Sequence, residues 1–187
     1  MDDTLIQRVQ NGDAEAFRDL VEKYQDFAYT MAIGIVRNAS VAEEVVQDAF
    51  LNAYKGINSF KFQSKFSTWF YKIVYHQALK SVRKKRLETV PAEAINWEYM
   101  SEASVEDGLL ALNAKDQQTY INRALTRLSP QQGTVLRLFY LDECPLKEIN
   151  EITGIGLSTI KSLLHRGRKQ FYNELQVLLK DEAKSIM

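Results

Sequence analysis

Residues 129–169, SPQQGTVLRLFYLDECPLKEINEITGIGLSTIKSLLHRGRK, predict three consecutive helices. The stretch begins with Ser129 as a helix N-cap, Pro130 in the first turn and Gln132 three residues after the serine. A second helix is expected to start at Pro145. Gly154 lies in the turn before the third helix, where a positive φ is easily adopted, and Ser158 is expected to cap that third helix. This order is typical of a helix-turn-helix with a support helix in front.

The last two of these helices have an apolar side and a basic side. The residues expected to face inward are Leu146, Ile149, Ile152, Ile160, Leu163 and Leu164. The remaining surface of the third helix is basic and polar, and residues 157–173 contain no acid. A helix with such a surface suits the major groove of DNA. The alternative is a helical hairpin whose outer face is merely solvated. Asn150 and Thr153 lie where apolar residues are more usual; both could weaken the packing, or Asn150 could form a local hydrogen bond.

The composition predicts an all-α protein of one large or two small domains. The chain has 187 residues with 8 Gly and 3 Pro, few helix-breaking residues for this length. Its single cysteine excludes an internal disulfide framework and fits a reducing compartment. The acidic N-terminus precedes no long apolar run, so we expect no signal peptide, no membrane insertion and a cytoplasmic location.

The formal net charge is zero, with 24 basic and 24 acidic residues, but the charges are segregated. Residues 65–86 carry bases and no acid, whereas residues 88–107 carry acids and no base. Basic patches attract phosphate and acidic segments repel it. We therefore predict an N-terminal domain at residues 1–90, an acidic linker at 91–115 and a C-terminal helix-turn-helix domain at 116–187.

Two further helices are expected in the N-terminal half, before its basic segment. Asp13 can cap the first, and Ser40 with Glu43 has the spacing of a capping box for the second. Gly56 is a plausible stop for that second helix.

The basic segment of the N-terminal half predicts an amphipathic helix, FSTWFYKIVYHQALKSVRKKR, at residues 66–86. The expected buried row is Phe70, Val74, Ala78 and Val82, and the row two places on is Lys72, His76, Lys80 and Lys84. Trp69, Tyr71 and Tyr75 are expected near the basic face. Cations beside aromatic rings suit unpaired nucleic acid, because the cations hold phosphates while the rings stack on bases. The alternative is a solvated helix with core aromatics, which fits Trp69 best.

Three motifs in this order resemble the extracytoplasmic-function (ECF) sigma factors of the sigma-70 family. They are AEEVVQDAFL at residues 42–51, FSTWFYKI at 66–73, and LSP at 128–130 with the segment 154–168. The resemblance covers nearly the whole chain. It implies that the chain joins core RNA polymerase through its clamp helices and flap, recognises a promoter and helps to open it. It also implies control by an anti-sigma factor and an acidic linker that threads the polymerase channel.

The resemblance assigns residues to three surfaces. The polymerase-binding residues are Glu44, Gln47, Asp48, Phe50 and Leu51. The residues for the −10 element are Phe62, Ser64, Lys65, Trp69, Tyr71, Lys72, Tyr75, His76, Lys80, Arg83 and Lys84. The residues for the −35 element are Ser158, Thr159, Lys161, Ser162, His165, Arg166, Arg168 and Lys169. His76 stands where the family usually has Asn, and Gly167 where Ala is common.

Two other classes of protein are less well supported. A helix-turn-helix regulator with an N-terminal sensing or dimerisation domain would not require the basic aromatic helix. An enzyme is disfavoured because the chain has two histidines and one cysteine, no metal-ligand spacing and no glycine-rich phosphate loop. We therefore expect no catalytic residue, no metal and no cofactor.

Overall fold

The computed structural model describes the backbone of residues 2–86 and 114–185 and the side chains of residues 2–83 and 116–180. Its long elements in these ranges are the helices α1 Asp2–Gln10, α2 Ala14–Val36, α3 Ala39–Gly56, α4 Phe66–Arg86, α5 Ala114–Arg127, α6 Pro130–Tyr140, α7 Leu146–Thr153 and α8 Leu157–Ser185. A 3-10 turn, Ile57–Ser59, follows α3. The predicted all-α fold is confirmed. Residues 91–113 of the predicted linker lie outside the described residues.

Contacts divide the chain into two compact units. The first unit is Met1–Thr89 with Leu146–Ile155, so it contains α1 to α4 together with α7. The second is Val90–Pro145 with Gly156–Met187, and it contains α5, α6 and α8. Helix α7 packs on α4.

The core of the first unit is built from the apolar faces of α2, α3 and α4, which pack pairwise, with α1 against α2. Its fully buried side chains include Ile6, Leu20, Ala49, Phe70 and Val74. Phe70 lies at the centre of a ring cluster, with centroids 4.6 Å from Phe50 and 5.9 Å from Tyr24 and from Phe66. Because several aromatic rings meet here, the cluster fixes the rotation of α4 about its axis.

The core of the second unit lies between the long helix α8 and the pair α5 and α6. One cluster joins Tyr120 and Ala124 of α5 to Leu175 and Leu178 of α8. Leu125, Leu128 and Leu136 form a second cluster, and partly buried Leu164 and Phe171 of α8 pack against it. One side of the N-terminal half of α8 is therefore packed, and the residues of its other side are exposed.

Local signals placed several helix ends correctly. Asp13 Oδ1 accepts hydrogen bonds from the amides of Glu15 at 3.0 Å and Ala16 at 3.1 Å. Ser129 and Gln132 form the predicted reciprocal capping box. Helix α3 ends at Gly56 as expected.

Two predicted caps are wrong. The N-cap of α3 is Asn38, whose Oδ1 accepts from the Val41 amide at 3.1 Å, and Ser40 already lies inside the helix. Asn38 takes this position because its backbone is extended, with φ −146° and ψ 123°. Helix α8 begins at Leu157 rather than after Ser158, because the Gly156 carbonyl accepts its first hydrogen bond, from Ile160 at 2.9 Å.

Candidate nucleic-acid interface

The predicted −35 residues lie together on the outer side of α8. All eight are exposed: Ser158, Thr159, Lys161, Ser162, His165, Arg166, Arg168 and Lys169. Ile160 and Leu163 of the same turns are buried, at 0 % and 7 % exposure. The 3.6-residue period thus separates an apolar side from a cationic side along the first turns of α8. Such a helix can enter a major groove, where Arg and Lys bond to guanine edges.

Gly167 brings α6 and α8 close together in the second unit. A Cβ at this position would lie 3.1 Å from Leu136 Cδ1 and 3.4 Å from Gln132 Cβ. The glycine therefore allows a closer approach of the two helices than an alanine would without movement of the Leu136 side chain.

The turn after α7 is closed by the two unusual polar residues of the helix-turn-helix segment. Asn150 Nδ2 donates to the Ile155 carbonyl at 2.8 Å. Thr153 Oγ1 donates to the Ile149 carbonyl at 2.7 Å and accepts from the Ile155 amide at 3.2 Å. Gly154 has φ 71°, as predicted for the turn. Asn150 and Thr153 therefore satisfy backbone groups of the turn rather than leaving polar atoms unpaired in a core.

Glu148 of α7 makes a contact with α4 that no sequence pattern predicted. Its carboxylate is buried, at 9 % exposure, and accepts a hydrogen bond from the buried Thr68 hydroxyl of α4. Its other oxygen lies 3.3 Å from Lys65 Nζ. Lys65, one of the predicted −10 residues, is thus paired with a carboxylate inside the first unit.

The basic side of α4 is exposed as predicted. Lys72, His76, Lys80 and Arg83 all face solvent, whereas the side chain of Lys84 lies outside the described residues. A shallow cleft of about 480 Å³ runs along this side; its lining residues are Asn52, Trp69, Lys72, Ile73, His76, Gln77 and Lys80. The cleft combines the cationic or ionisable side chains of Lys72, His76 and Lys80 with the aromatic side chain of Trp69, which suits a nucleotide.

Tyr71 and Tyr75 do not lie on this basic side, which corrects the expectation from the sequence. They are 9 % and 3 % exposed, and the Tyr71 ring stacks on Phe27 with 3.6 Å between centroids. Burial raises the pKa of the Tyr75 hydroxyl. The buried face of α4 is wider than a single row at every fourth residue, because an apolar stripe of a packed helix covers at least 100°. Neither ring is presented for stacking on a base.

The loop before α4 presents the remaining predicted −10 residues. Phe62, Ser64 and Lys65 are exposed. Phe62 has φ 57°, and its ring lies edge-on to Phe60 at 5.0 Å. Trp69 is half-buried and packs on Phe60 and Phe66 at 5.4 and 5.6 Å. Phe62 is therefore the exposed aromatic ring of this loop.

The predicted polymerase-binding residues of α3 differ in exposure. Glu44, Gln47 and Leu51 are exposed, with Leu51 at 55 %. Asp48 is half-buried and accepts a hydrogen bond from Gln77 at 2.7 Å, and Phe50 packs in the ring cluster. The sequence reading missed Tyr54, which is 48 % exposed three residues after Leu51. Large apolar side chains exposed side by side indicate a contact surface for another protein.

A second shallow cleft lies between α2 and α3. Its volume is about 290 Å³, and its lining residues are Gln25, Asp26, Tyr29, Glu43, Val46 and Gln47. Together with Glu44 it gives this side of the first unit an acidic character, in contrast to the basic side of α4.

Two other properties bear on the class of protein. Within the described ranges, no cluster of three His, Cys, Asp or Glu side chains could hold a metal ion. Among the helices of the same ranges, none combines the length and apolar character needed to cross a membrane.

Comparison with known proteins matches both halves of the chain to one family. Residues 20–88 match the model of Sigma-70 region 2, and residues 118–171 match that of Sigma-70, region 4. The chain is 35% identical over 179 residues to the ECF RNA polymerase sigma factor SigW of Bacillus subtilis, covering 92% of this chain and 96% of that protein. The chain belongs to the ECF sigma factors of the sigma-70 family.

Two further relatives agree with this assignment. The sigma factor is 30% identical over 187 residues to the ECF RNA polymerase sigma-E factor of Escherichia coli K12, covering 96% of both chains. Its fold is similar to that of the sigma factor RpoE in a complex with the anti-sigma factor NepR from Bartonella quintana, with a TM-score of 0.64, 23% identity and coverage of 88% of this chain and 99% of that one. The region 2 match includes α3 and α4, and the region 4 match includes α6, α7 and the cationic part of α8.

Proposed function

We propose that this sigma factor binds core RNA polymerase, directs it to promoters through −35 and −10 elements, and helps to open the DNA. The functional domains are residues 1–90 and 116–187, joined by a linker at 91–115. The chain performs no chemical step of its own, and it acts in the cytoplasm. The observation that carries the proposal is the exposure of all eight predicted −35 residues on one side of α8, in a segment that the region 4 model matches.

The outer side of α8 reads the −35 element. Lys161, Ser162, His165 and Arg166 are placed along the helix to reach base edges, where Arg and Lys donate to guanine O6 and N7. Arg168 and Lys169 follow one turn later and hold phosphates, which fixes the register of the helix on the duplex.

The basic side of α4 and the preceding loop handle the −10 element. Lys72, Lys80 and Arg83 hold the phosphates of the separated strand, and exposed Phe62 stacks on an unpaired base. Unstacking a base costs a few kcal/mol, and binding of the freed base offsets this cost. Tyr71 and Tyr75 support the helix from the core, because their rings are buried.

The acidic and apolar side of the first unit binds polymerase. Leu51 and Tyr54 supply exposed apolar area, and Glu44 and Gln47 supply polar groups around it. A mixed patch of this kind is typical of an interface with an apolar centre and a polar rim. Asp48 contributes through its hydrogen bond to Gln77, which joins α3 to α4.

The partner that restrains this sigma factor is an anti-sigma factor. Support comes from the similar fold of RpoE, whose structure contains the anti-sigma factor NepR. This control serves an envelope or stress response.

The experiment pairs two substitutions that act on different steps. Arg166→Ala should lower transcription from a promoter selected by the wild-type holoenzyme while binding to core polymerase stays unchanged. Leu51→Arg should lower polymerase binding itself, because it places a charge in the apolar centre of the patch. Arg18→Ala is the matched control, since Arg18 is 79% exposed on α2 and outside each predicted surface. Loss of polymerase binding in Arg166→Ala would contradict the assignment of α8 to DNA.

A further inference from the structure

Gln10, the last residue of α1, bonds to the 3-10 turn Ile57–Ser59, which leads into the loop before α4. Its side-chain amide donates to the Ile57 carbonyl at 2.8 Å and to the Phe60 carbonyl at 3.1 Å. The Ile57 carbonyl also accepts from the Phe60 amide at 3.1 Å. An amide group has two N–H donors, so a single side chain satisfies a carbonyl at each end of the 3-10 turn. The turn is thereby closed on helix α1.

Helix α1 is itself firmly attached, which makes Gln10 a fixed anchor. Near its start, Tyr24 Oη donates to Asp2 Oδ2 at 2.6 Å, and Lys23 forms an ion pair with the same carboxylate. Ile6 is fully buried. Both ends of α1 are therefore joined to the rest of the first unit through side chains, and the position of Gln10 follows from that of α2.

Phe62, the exposed aromatic residue of the loop, comes two positions after Phe60, whose carbonyl accepts from Gln10. Phe60 is 6 % exposed, whereas Phe62 is 39 % exposed. Phe62 also has φ 57°, which is uncommon for an aromatic residue and persists only where the surrounding structure holds it. The two rings remain in edge contact at 5.0 Å. The Phe60 carbonyl, which accepts from the Gln10 side-chain amide, lies two residues before Phe62. This hydrogen bond therefore restricts where the Phe62 ring can be placed.

We propose that Gln10 is a positioning residue for −10 recognition, which acts by fixing the turn that presents Phe62 to an unpaired base. Gln10 precedes the segment matched to region 2, residues 20–88, so that match assigns it no role. The proposal rests on the proposed function of the loop in reading the −10 element.

The test uses the full chain assembled with core RNA polymerase. The probe is a promoter selected by the wild-type holoenzyme, with 2-aminopurine placed at successive −10 positions to report unstacking of individual bases. Gln10→Ala and Gln10→Glu should each lower the rate of open-complex formation about tenfold. The glutamate variant keeps the size of the side chain but replaces the donor with an acceptor facing two carbonyls. Both variants should also lose discrimination between the selected −10 sequence and single-base variants of it.

The controls separate positioning from a merely structural effect. Gln7→Ala, an exposed glutamine on the same helix, should open the promoter like the wild type. Gln10→Ala should keep the affinity of the wild type for core polymerase, although the loss of two part-buried hydrogen bonds lowers its thermal midpoint. A Gln10→Ala variant that opens the promoter normally, or that loses polymerase affinity and −10 discrimination together, would overturn the proposal. Phe62→Ala tests the underlying function: if it opens DNA normally, the loop does not read the −10 element.

Discussion

Replacing the buried Glu148 by Ala should destabilise the first unit. The Glu148 carboxylate is 9 % exposed and accepts from the Thr68 hydroxyl, which is itself 4 % exposed. Lys65 Nζ lies 3.3 Å from the second oxygen, but the Lys65 side chain is 71% exposed. Two unequal interactions are therefore lost in this substitution, one buried and one at the surface.

The magnitude follows from these exposures. A hydrogen bond to a charged group contributes about 1.5–3 kcal/mol, and its loss leaves the buried Thr68 hydroxyl unsatisfied. The ion pair to the exposed Lys65 adds about 0–1 kcal/mol. We expect Glu148→Ala to lower the free energy of unfolding by about 2–4 kcal/mol. In a double-mutant cycle with Thr68→Val, the coupling energy should be about 1–2 kcal/mol, because the two groups touch.

Urea unfolding followed by the fluorescence of Trp69 measures this directly. Trp69 is half-buried and adjacent to Thr68, and a Trp97→Phe background removes the other tryptophan. Glu151→Ala is the matched control, because Glu151 is exposed on the same helix. Its effect should stay within about 0.5 kcal/mol. Equal effects of the two alanine substitutions, or a coupling energy near zero, would refute the argument.

Four other substitutions test Gly133, Asp142 and Arg168 of the second unit and Gly34 of the first. Gly133→Ala should lower the free energy of unfolding by about 1–2 kcal/mol, because the new Cβ would lie 2.8 Å from the Leu125 carbonyl oxygen. This cost outweighs the better helix propensity of alanine. Gly34→Ala has open space around the new Cβ and should raise the free energy of unfolding by about 0.5–1 kcal/mol in the same denaturation assay. Burial raises the pKa of Asp142 to about 6, so the folded protein binds this proton more tightly than the unfolded chain. Stability should therefore fall by about 2 kcal/mol as the pH rises from 4 to 6.5, relative to Asp142→Asn, and parallel pH curves for the two proteins would contradict this. Arg168→Ala should reduce the slope of log affinity for promoter DNA against log salt by about 1, and an unchanged slope would argue against a phosphate contact.

The elements that the sequence predicted well depend on local interactions. The capping box of Ser129 involves residues three apart, and the positive φ of Gly154 follows from the need for a turn between two helices. The alternation of buried and exposed residues along α8 follows from the 3.6-residue period alone. All of this information lies within a few residues of each position.

Predictions failed where nearby positions or faces compete. Asn38 and Ser40 are both suitable caps, and the backbone conformation of Asn38 decides between them. By periodicity, Tyr71 and Tyr75 could face either the core or the solvent. For Tyr71, the stacking of its ring on Phe27 of a neighbouring helix decides for the core. Such choices depend on packing between helices, which helix propensity alone does not encode.

Hydrogen bonds between residues far apart in the sequence could not be predicted from sequence patterns. Glu148 and Thr68 are separated by 80 positions, and Gln10 reaches Phe60 across 50. In the sequence each is an ordinary polar residue on a helix, with no pattern that distinguishes it from its solvated neighbours. These two contacts nevertheless fix the segment that carries the predicted −10 residues.

The decisive measurement for a sigma-factor function is transcription reconstituted from purified core RNA polymerase and a promoter library, with and without this chain. We expect the chain to bind the polymerase, and we expect transcripts to start at defined sites, downstream of shared −35 and −10 elements, only when the chain is present. Binding to duplex DNA without any association with polymerase, or transcription unchanged by its addition, would contradict the account.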